Sequence, residues 1–383
     1  MQLTVFSNYL IHHQVWIADE LYKLLGSQYT FVATLPPEPS LFKGGEDYSK
    51  KRSYCVRAYE AEGYRKAEDL AKLSEVCIFG ADSISFAVIR AKNNPLGLSF
   101  EMGERWLKKG LLNLLSPRLI RWRWHYNVAF KKANFYYLCS SSFAAKDLSY
   151  MGAYRERCFK WGYFTRISDE SKVEMPILSV TSSEITPLMW CARFLKWKHP
   201  ELPVQLAARL KAKDYHFKID MFGSGEELEN TRRLIAQLGV EDCVKLCGNR
   251  PNEEILSEMR KHRIFLFTSD RNEGWGAVAN EAMGNGCVLV GSDAIGSVPF
   301  LLKQRENGCV FKSGSIESLE EEVMWLIDNP EACSELSKAG QYTIRDEWSP
   351  QKASGNLIIL IKDLLQGHQT SIKSGPCSVA PII

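Results

Sequence analysis

Two glutamates, Glu273 and Glu281, stand eight residues apart in the segment EGWGAVANE, between two apolar runs typical of strands. Eight steps of about 100° leave them some 80° out of register on a helix, so they do not share a helical face. They can meet at one ligand if Glu273 lies in a loop and Glu281 in the first turns of the next helix. Gly274 and Gly276 let that loop approach a ligand closely, and a helix start offers free amides to phosphate. The segment predicts a ligand site, although an isolated glutamate pair is more often solvated surface.

Two cations, Arg193 and Lys198, follow the strand-like run that begins near Leu188. An arginine fork and a lysine point charge together suit a diphosphate group. Open α/β sheets bind ligands at the carboxyl ends of their strands, which is where this pair is expected. The alternative is that two isolated basic residues serve only solubility.

These segments resemble the retaining glycosyltransferases of family 4 (glycosyl transferases group 1), which carry a Glu-x7-Glu signature in this context. The five-residue step from Arg193 to Lys198 resembles the family's Gly-Arg-Leu…Lys segment. Gly223 and Gly225 resemble its Gly-x-Gly turn beside the donor, for which a plain tight turn is the alternative. The loop 292–299 resembles the one that follows the family's Glu-x7-Glu helix. The resemblance implies the α/β GT-B fold, two Rossmann-like parallel-sheet domains facing each other across a cleft.

The resemblance also implies a role for each matching residue in binding a nucleotide diphosphate sugar. Glu273 would bind hydroxyls of the donor sugar, Glu281 the ribose, and Arg193 and Lys198 the departing diphosphate. Arg193, Lys198 and Glu273 are therefore the predicted catalytic residues. The predicted donor-binding residues, several of them through backbone amides, are Gly223, Gly225, Asn249, Arg250, Gly274, Trp275, Gly276, Ala277, Val278 and Glu281.

The first half of the chain departs from the family pattern. Many members have a glycine-rich turn after the first strand, where this chain reads SNYLIHHQ. His12 or His13 could contact donor or acceptor there, and exposed histidines at a capped helix start are the alternative. Glu101, Glu104 and Arg105 are further acceptor-side candidates, with a polar helix start as the alternative. The acceptor and any general base stay open.

A basic, aromatic stretch occupies residues 105–132 and contains no acidic residue. Its cations are Arg105, Lys108, Lys109, Arg118, Arg121, Arg123, Lys131 and Lys132. Its interleaved aromatic residues are Trp106, Trp122, Trp124 and Phe130. Such a stretch suits an anionic membrane surface, with cations at the headgroups and tryptophans at the interface. The alternative is a helix pair whose aromatic side chains pack inside. No motif supports nucleic-acid binding.

Composition and length point to a two-domain globular protein. The chain has 383 residues, of which 45% are hydrophobic and 24% charged, and a net charge of +3. Its eleven cysteines, most of them within apolar runs, are typical of reduced thiols in a cytosolic protein. Neither a basic leader nor a membrane-spanning run is evident. We therefore expect a cytoplasmic protein, peripheral on the inner face of the cell membrane if the basic stretch docks there.

Short apolar runs alternate with helical patterns, which predicts two doubly wound sheets. The runs include Leu3–Phe6, Tyr29–Ala33, Val76–Phe79, Phe135–Cys139, Leu188–Phe194, Phe217–Phe222, Val244–Cys247, Ile264–Thr268, Val288–Val290 and Cys309–Phe311. The predicted acceptor-side domain is 1–170, and the nucleotide-sugar domain is 177–345, with a polar linker at 165–176. A helix over 346–366 is expected to pack back on the first domain, followed by a disordered tail, 367–383.

The expected function is transfer of a hexose from a nucleotide diphosphate sugar to an acceptor hydroxyl, with retention at the anomeric carbon. A sugar or lipid-linked oligosaccharide acceptor would place it in surface polysaccharide or glycoconjugate biosynthesis. No cofactor or metal is expected, because two cations can neutralise the diphosphate and no Asp-x-Asp signature follows a strand. A sugar-nucleotide epimerase of the same fold and a non-catalytic sugar-nucleotide-binding protein are the alternatives.

Overall fold

The chain forms two compact units in the computed structural model, which describes residues 1–12, 14–37, 48–166 and 185–383. The first unit comprises residues 1–166 and 347–383, and the second comprises 167–346. Most of the predicted linker, 165–176, lies outside the described residues.

The first unit is built on a seven-stranded parallel sheet with the order β3-β2-β1-β4-β5-β6-β7. Its strands are β1 Leu3–Ser7, β2 Tyr29–Ala33, β3 Cys55–Arg57, β4 Val76–Phe79, β5 Leu98–Gly103, β6 Phe135–Cys139 and β7 Cys158–Lys160. The apolar runs are fully buried in the central strands β1 and β4, as expected for a parallel sheet covered on both faces. Residues 99–103, for which a polar helix start was the alternative, instead belong to strand β5.

Helices cover this first sheet. They are α1 Val15–Leu25, α2 Ala61–Leu73, α3 Ile84–Asn93, α4 Pro117–Val128 and α5 Ala144–Tyr150. Helix α4 begins with Pro117 in its first turn, and the Ser116 hydroxyl caps it by accepting from the Leu119 amide at 3.4 Å. It buries Leu119, Trp122 and Tyr126, which fall on one face because of the helical period. The basic stretch is thereby anchored to the first unit by an apolar face.

The second unit has a six-stranded parallel sheet with the order β10-β9-β8-β11-β12-β13. Its strands are β8 Thr186–Cys191, β9 Phe217–Phe222, β10 Val244–Gly248, β11 Ile264–Phe267, β12 Val288–Ser292 and β13 Cys309–Phe311. Chain order reverses between the neighbours β8 and β11, where Ile264 pairs with Leu188. In a doubly wound sheet this reversal opens a crevice at the carboxyl ends of the two strands. The loops after β8 and β11 therefore define the candidate site.

Seven helices are seen in the described part of this second unit. They are α6 Glu201–Lys211, α7 Leu228–Leu238, α8 Asn252–Met259, α9 Val278–Gly284, α10 Val298–Leu301, α11 Ile316–Asp328 and α12 Pro330–Tyr342. The core beneath them joins strands and helices through fully buried residues such as Trp190, Phe194 and Leu206. This packed core fixes the strand ends from which the site loops emerge.

The carboxyl-terminal part of the chain returns to the first unit. Helix α13, Pro350–Leu365, packs against α1. The prediction of a disordered tail over 367–383 is wrong, because this segment lies on the edge strand β7. The Cys377 amide donates to the Lys160 carbonyl at 2.7 Å, and the Ala380 amide to the Cys158 carbonyl at 2.9 Å. The Cys377 side chain is fully buried, so main-chain pairing and burial order a segment whose polar composition suggested disorder.

Candidate functional site

The loops that follow β8 and β11 are locked together by hydrogen bonds. The Thr268 hydroxyl donates to the Lys198 carbonyl at 2.7 Å and accepts from the Trp190 indole at 2.9 Å. The Asp270 amide donates to the Trp197 carbonyl at 3.0 Å. Because Thr268 and Trp190 are buried, these contacts hold the two loops in a fixed register.

Lys198 and Glu273, two of the three predicted catalytic residues, form a direct ion pair between these loops. Each side chain is only 11% exposed. The Ser269 hydroxyl also donates to the Glu273 carboxylate at 3.0 Å, and the Lys198 ammonium lies 4.4 Å from the centre of the Trp197 ring. The carboxylate therefore holds the lysine in place, and an incoming diphosphate would have to share or replace Glu273 as its partner.

Arg193, the third predicted catalytic residue, lies on the same loop as Lys198 but in a different environment. It is exposed, and its side chain makes no hydrogen bond or ion pair with the residues that the structure describes. An unengaged guanidinium keeps its full donor capacity for an anion. Of the two predicted cations on the loop after β8, Arg193 is thus unengaged and Lys198 is already paired.

Gly223 and Gly225 are required by close packing against the loop after β8. Their φ angles are +130° and +154°. A Cβ atom on Gly223 would lie 1.9 Å from the Ala192 carbonyl oxygen, and one on Gly225 would lie 2.4 Å from the Phe194 carbonyl oxygen. The turn therefore supports the backbone on either side of Arg193, which explains both glycines without a ligand.

Asn249 and Arg250, two of the predicted donor-binding residues, are exposed at the end of β10. The neighbouring Gly248 accepts a hydrogen bond from the Gly223 amide at 2.9 Å, so this turn adjoins the Gly-x-Gly turn. Arg250 has its guanidinium 3.8 Å from the Glu254 carboxylate, with both side chains about half exposed. Such an exposed pair is weak and can reorganise around a ligand.

The segment from Gly274 to Val278 folds tightly beneath the paired carboxylate. Trp275 is fully buried and its indole donates to the side-chain amide oxygen of Asn280 at 2.8 Å, so its side chain belongs to the core. Gly276 has φ +81°, and a Cβ atom there would lie 2.3 Å from the Phe267 ring. Ala277 is buried and Val278 opens helix α9. Of this segment, only the backbone is available for the predicted donor contacts.

Glu281 lies in the first turn of α9, while Glu273 lies in the preceding loop. The Glu281 carboxylate accepts from the Asn252 side-chain amide at 3.1 Å. Burial raises the pKa of Glu281 to about 7, and the Asn252 hydrogen bond only partly offsets that rise. The loop 292–299 also borders this region, since the Gly296 amide donates to the Glu273 carbonyl at 3.2 Å.

Sequence reasoning missed several groups that hold this site. Thr268, Ser269 and Asp270 follow β11 directly, and His199 follows Lys198. Their position directly after strands and turns could have predicted a role in the site, because side chains at the carboxyl ends of parallel strands converge. Thr268 and Asp270 bond to the loop after β8, about 70 residues away, which local patterns do not reveal, whereas Ser269 bonds to Glu273 only four residues on.

Two of the first-unit candidates, Glu101 and Arg105, are engaged in internal contacts. Both carboxylate oxygens of Glu101 are bonded, to the Trp122 indole at 3.0 Å and the Tyr154 hydroxyl at 2.5 Å. Burial raises the pKa of Glu101 to about 7. Arg105 is nearly buried, 3.6 Å from Asp147. These contacts argue against the predicted acceptor roles of Glu101 and Arg105, because both groups already serve internal packing.

Glu104 and His12 are the remaining described acceptor-side candidates, and His13 lies outside the described residues. Glu104 is half-buried at the carboxyl end of β5, where it accepts from the Tyr163 hydroxyl at 2.6 Å and the Lys108 ammonium at 2.8 Å. Partial burial lowers the pKa of His12, which favours its neutral imidazole. A neutral imidazole retains one ring nitrogen able to accept a proton.

The aromatic residues of the basic stretch take two different environments. Trp122 and Phe130 are buried, and Trp106 donates from its indole to the Tyr137 hydroxyl at 3.1 Å. Trp106, Trp122 and Phe130 therefore show the internal packing that was the alternative to membrane docking. Trp124, by contrast, is 59% exposed. The described part of the chain contains no helix long and apolar enough to cross a bilayer.

Comparison with solved structures identifies the architecture. A structure of Anabaena Alr3699/HepE in complex with UDP and glucose aligns with a TM-score of 0.66 at 14% identity, covering 94% of this chain and 99% of that one. Two doubly wound parallel sheets with this similarity define the GT-B fold, as the sequence predicted.

The family match falls within the second unit. Residues 188–343 match the model of the family Glycosyl transferases group 1. The UDP-N-acetylglucosamine–peptide N-acetylglucosaminyltransferase GtfA subunit of Streptococcus pneumoniae is 26% identical over 157 residues, which cover 40% of this chain and 28% of that protein. The poly(glycerol-phosphate) alpha-glucosyltransferase of Bacillus subtilis is 26% identical over 176 residues, covering 46% and 26%. The matches thus span less than a third of either relative.

Proposed function

We propose that this protein is a retaining glycosyltransferase that moves a hexose from a nucleotide diphosphate sugar to an acceptor hydroxyl. The observation that carries the proposal is the arrangement of Arg193, Lys198 and Glu273 at the carboxyl ends of β8 and β11. One cation is free and the other is held by a carboxylate, within the part of the chain that matches the family. That combination suits a diphosphate beside a sugar better than either group alone.

The two cations would act on the leaving group. Negative charge develops on the diphosphate oxygen as the bond to the sugar breaks, and contacts that strengthen with that charge accelerate transfer. Lys198 would turn from Glu273 toward the diphosphate, and the released carboxylate would accept hydrogen bonds from sugar hydroxyls. Glu281 would hold the ribose hydroxyls, and the backbone of 274–278 would contact sugar and phosphate oxygens.

Retention at the anomeric carbon would follow from attack by the acceptor hydroxyl on the face that the diphosphate leaves. Positioning of the acceptor and stabilisation of the leaving group can accelerate this reaction without a protein nucleophile. We also propose that no metal is needed, since Arg193 and Lys198 can neutralise the diphosphate. In the described residues, no cluster of three or more potential metal ligands occurs.

A uridine donor is the first to test. One structural neighbour was solved with UDP and glucose, and a sequence relative is named for UDP-N-acetylglucosamine. These ligands are named for those two proteins, and they support UDP-glucose and UDP-N-acetylglucosamine as the first donors to test with this protein. We further propose that the acceptor is a sugar or a lipid-linked oligosaccharide in surface polysaccharide or glycoconjugate biosynthesis.

The donor proposal is tested by thermal shift and nucleotide release with UDP-, GDP-, ADP- and TDP-sugars. Arg193→Ala and Glu281→Ala are compared with Arg232→Ala and Glu229→Ala, which change exposed residues of helix α7 in the same unit. We expect one sugar nucleotide to stabilise the wild type and both control variants but neither site variant. If stabilisation is equal in all five proteins, the proposed donor site is wrong.

Product analysis separates transfer from the alternatives. An epimerase of this fold would convert the donor without any acceptor, and a binding protein would release no nucleotide diphosphate. We expect slow diphosphate release without acceptor and faster release with a suitable sugar acceptor. An epimerised sugar nucleotide in the acceptor-free reaction would favour the epimerase.

The protein is also proposed to dock on an anionic membrane surface through part of the stretch 105–132. Six large apolar side chains there are each more than half exposed: Leu111, Leu112, Leu115, Ile120, Trp124 and Val128. On helix α4, Ile120, Trp124 and Val128 span about 80° of the helix surface, opposite its buried face. Arg121 and Arg123 lie on either border of this stripe. An apolar stripe bordered by cations is typical of an interfacial helix.

Liposome co-sedimentation tests the docking surface. A triple Leu→Ser variant at 111, 112 and 115 should lose retention on anionic vesicles, whereas Leu73→Ser with Leu96→Ser, two other exposed leucines, should not. Arg121→Glu with Arg123→Glu should weaken binding about 30-fold or more, since each lysine or arginine near such a surface contributes about 1 kcal/mol. Arg65→Glu with Lys66→Glu on helix α2 is the charge-matched control. If the variants and the controls lose vesicle binding equally, the proposed docking surface is wrong and the binding is nonspecific attraction.

A further inference from the structure

His199 has a backbone conformation that histidine rarely adopts. It follows Lys198 and precedes helix α6, with φ +51° and ψ +56°, the left-handed region that favours glycine. Such conformations persist where the surrounding structure holds them, and they concentrate at functional sites. Here the holding contacts come from the second site loop, since the Thr268 hydroxyl reaches the His199 carbonyl at 3.3 Å.

The imidazole of His199 bridges two carboxylates on different segments. Its Nδ1 lies 2.7 Å from a Glu201 oxygen at the start of α6, and its Nε2 lies 3.5 Å from an Asp270 oxygen in the loop after β11. An ionised carboxylate only accepts hydrogen bonds, so the contact with Glu201 and the nearby charge of Asp270 both favour the protonated ring, an imidazolium. The hydrogen bond to Glu201 raises the pKa of His199 despite partial burial, with Asp270 adding to the rise.

We infer that His199 is a positioning residue which, as an imidazolium, holds the loops of Lys198 and Glu273 in register for the donor diphosphate. This inference rests on the proposed function. The bridge connects the residue next to Lys198 with Asp270, three positions before Glu273. It also places a positive charge between two carboxylates that would otherwise repel a diphosphate. Neither role requires His199 to touch the donor.

Loss of the proton from His199 should therefore weaken donor binding. Among the described residues, the charged groups recorded at the ring are Glu201 and Asp270, and Lys198 of the Lys198–Glu273 pair is the preceding residue in the chain. With a neutral ring, Glu201 and Asp270 add uncompensated negative charge beside the diphosphate. A loss of about 1 kcal/mol of Coulomb attraction, the order expected for one charge in a partly solvated site, corresponds to about a five-fold loss of affinity. Affinity should fall as pH rises through the raised pKa of His199.

The test is the affinity of the full chain for UDP between pH 6 and 8.5, measured by calorimetry. The wild type should bind about five-fold more weakly at the upper end, and His199→Gly, which suits the left-handed backbone, should lack that fall. Asp270→Asn should shift the fall to lower pH, because it removes a carboxylate that raises the pKa of His199. Glu281→Gln removes the titration of a carboxyl whose pKa is about 7, so it should leave the fall due to His199 in place and differ from the wild type mainly at high pH.

A second measurement separates the bridge from the donor. Because the folded pKa of His199 is raised, its stabilisation is present below its unfolded value and is lost as pH rises through the folded one. In urea unfolding, the fall in stability with rising pH should be smaller in His199→Gly than in the wild type, since the part of the fall that is due to Glu101 stays in both. A wild type that binds no UDP would overturn the uridine-donor proposal and the functional role together. Binding with the same pH profile in the wild type and His199→Gly would overturn the inference alone.

Discussion

Replacing Lys198 with methionine should destabilise the protein strongly, because it leaves the Glu273 carboxylate without its cation. Both side chains are 11% exposed, so the pair is buried. Removing one partner of a buried ion pair costs about 3–5 kcal/mol, whereas replacing both can be nearly neutral. The Ser269 hydroxyl stays on Glu273 and offsets part of the loss. We therefore expect a loss near 3 kcal/mol for Lys198→Met and a smaller loss for the double variant with Glu273→Gln.

The assay is a double-mutant cycle of the free energy of unfolding in urea. A chain with two units can unfold in steps, so energies are derived only where fluorescence and circular dichroism transitions coincide. The pair should show a coupling energy of about 2 kcal/mol. Arg193→Ala, whose side chain is exposed, is the matched control and should change stability by less than about 0.5 kcal/mol. Additive losses, with the double variant less stable than either single one, would refute the reasoning.

Three further predictions concern packing and protonation. Gly276→Ala should lower the melting temperature and abolish donor stabilisation in thermal shift, because its Cβ atom would collide with Phe267. Gly284→Ala is the control, since the nearest atom to its Cβ is 3.5 Å away, and it should keep the wild-type melting temperature and the donor stabilisation. Burial raises the pKa of Glu101 from 4.5 to about 7, so the free energy of unfolding should fall as pH rises between those values. Urea unfolding at pH 5 and pH 8 measures this fall, and Glu101→Gln should remove up to roughly 3 kcal/mol of it. Truncation after Gln366 should uncover the edge of β7, reducing stability and promoting aggregation in light scattering.

Much of the fold could be predicted from short apolar runs. Tyr29–Ala33 and Val76–Phe79 coincide with strands because a parallel strand covered on both faces is largely apolar, and Phe217–Phe222 keeps four apolar residues beside Lys218 and Asp220. Strand β5 did not show this signal, since it carries Ser99 and Glu101 in its interior. Their polarity is satisfied by partners from other elements, which the run itself does not display.

The candidate donor site was predicted in part because its residues follow strands, and strand ends meet at one edge of a parallel sheet. The sequence by itself determined the two sheets, the loops after β8 and β11, and the residue types there. Only the tertiary structure decided which side chains are free. Lys198 pairs with Glu273 from 75 residues away, whereas Arg193 stays exposed. It likewise buried Glu101 and ordered residues 367–383 on β7, because long-range pairing depends on chain topology, which local periodicity does not encode.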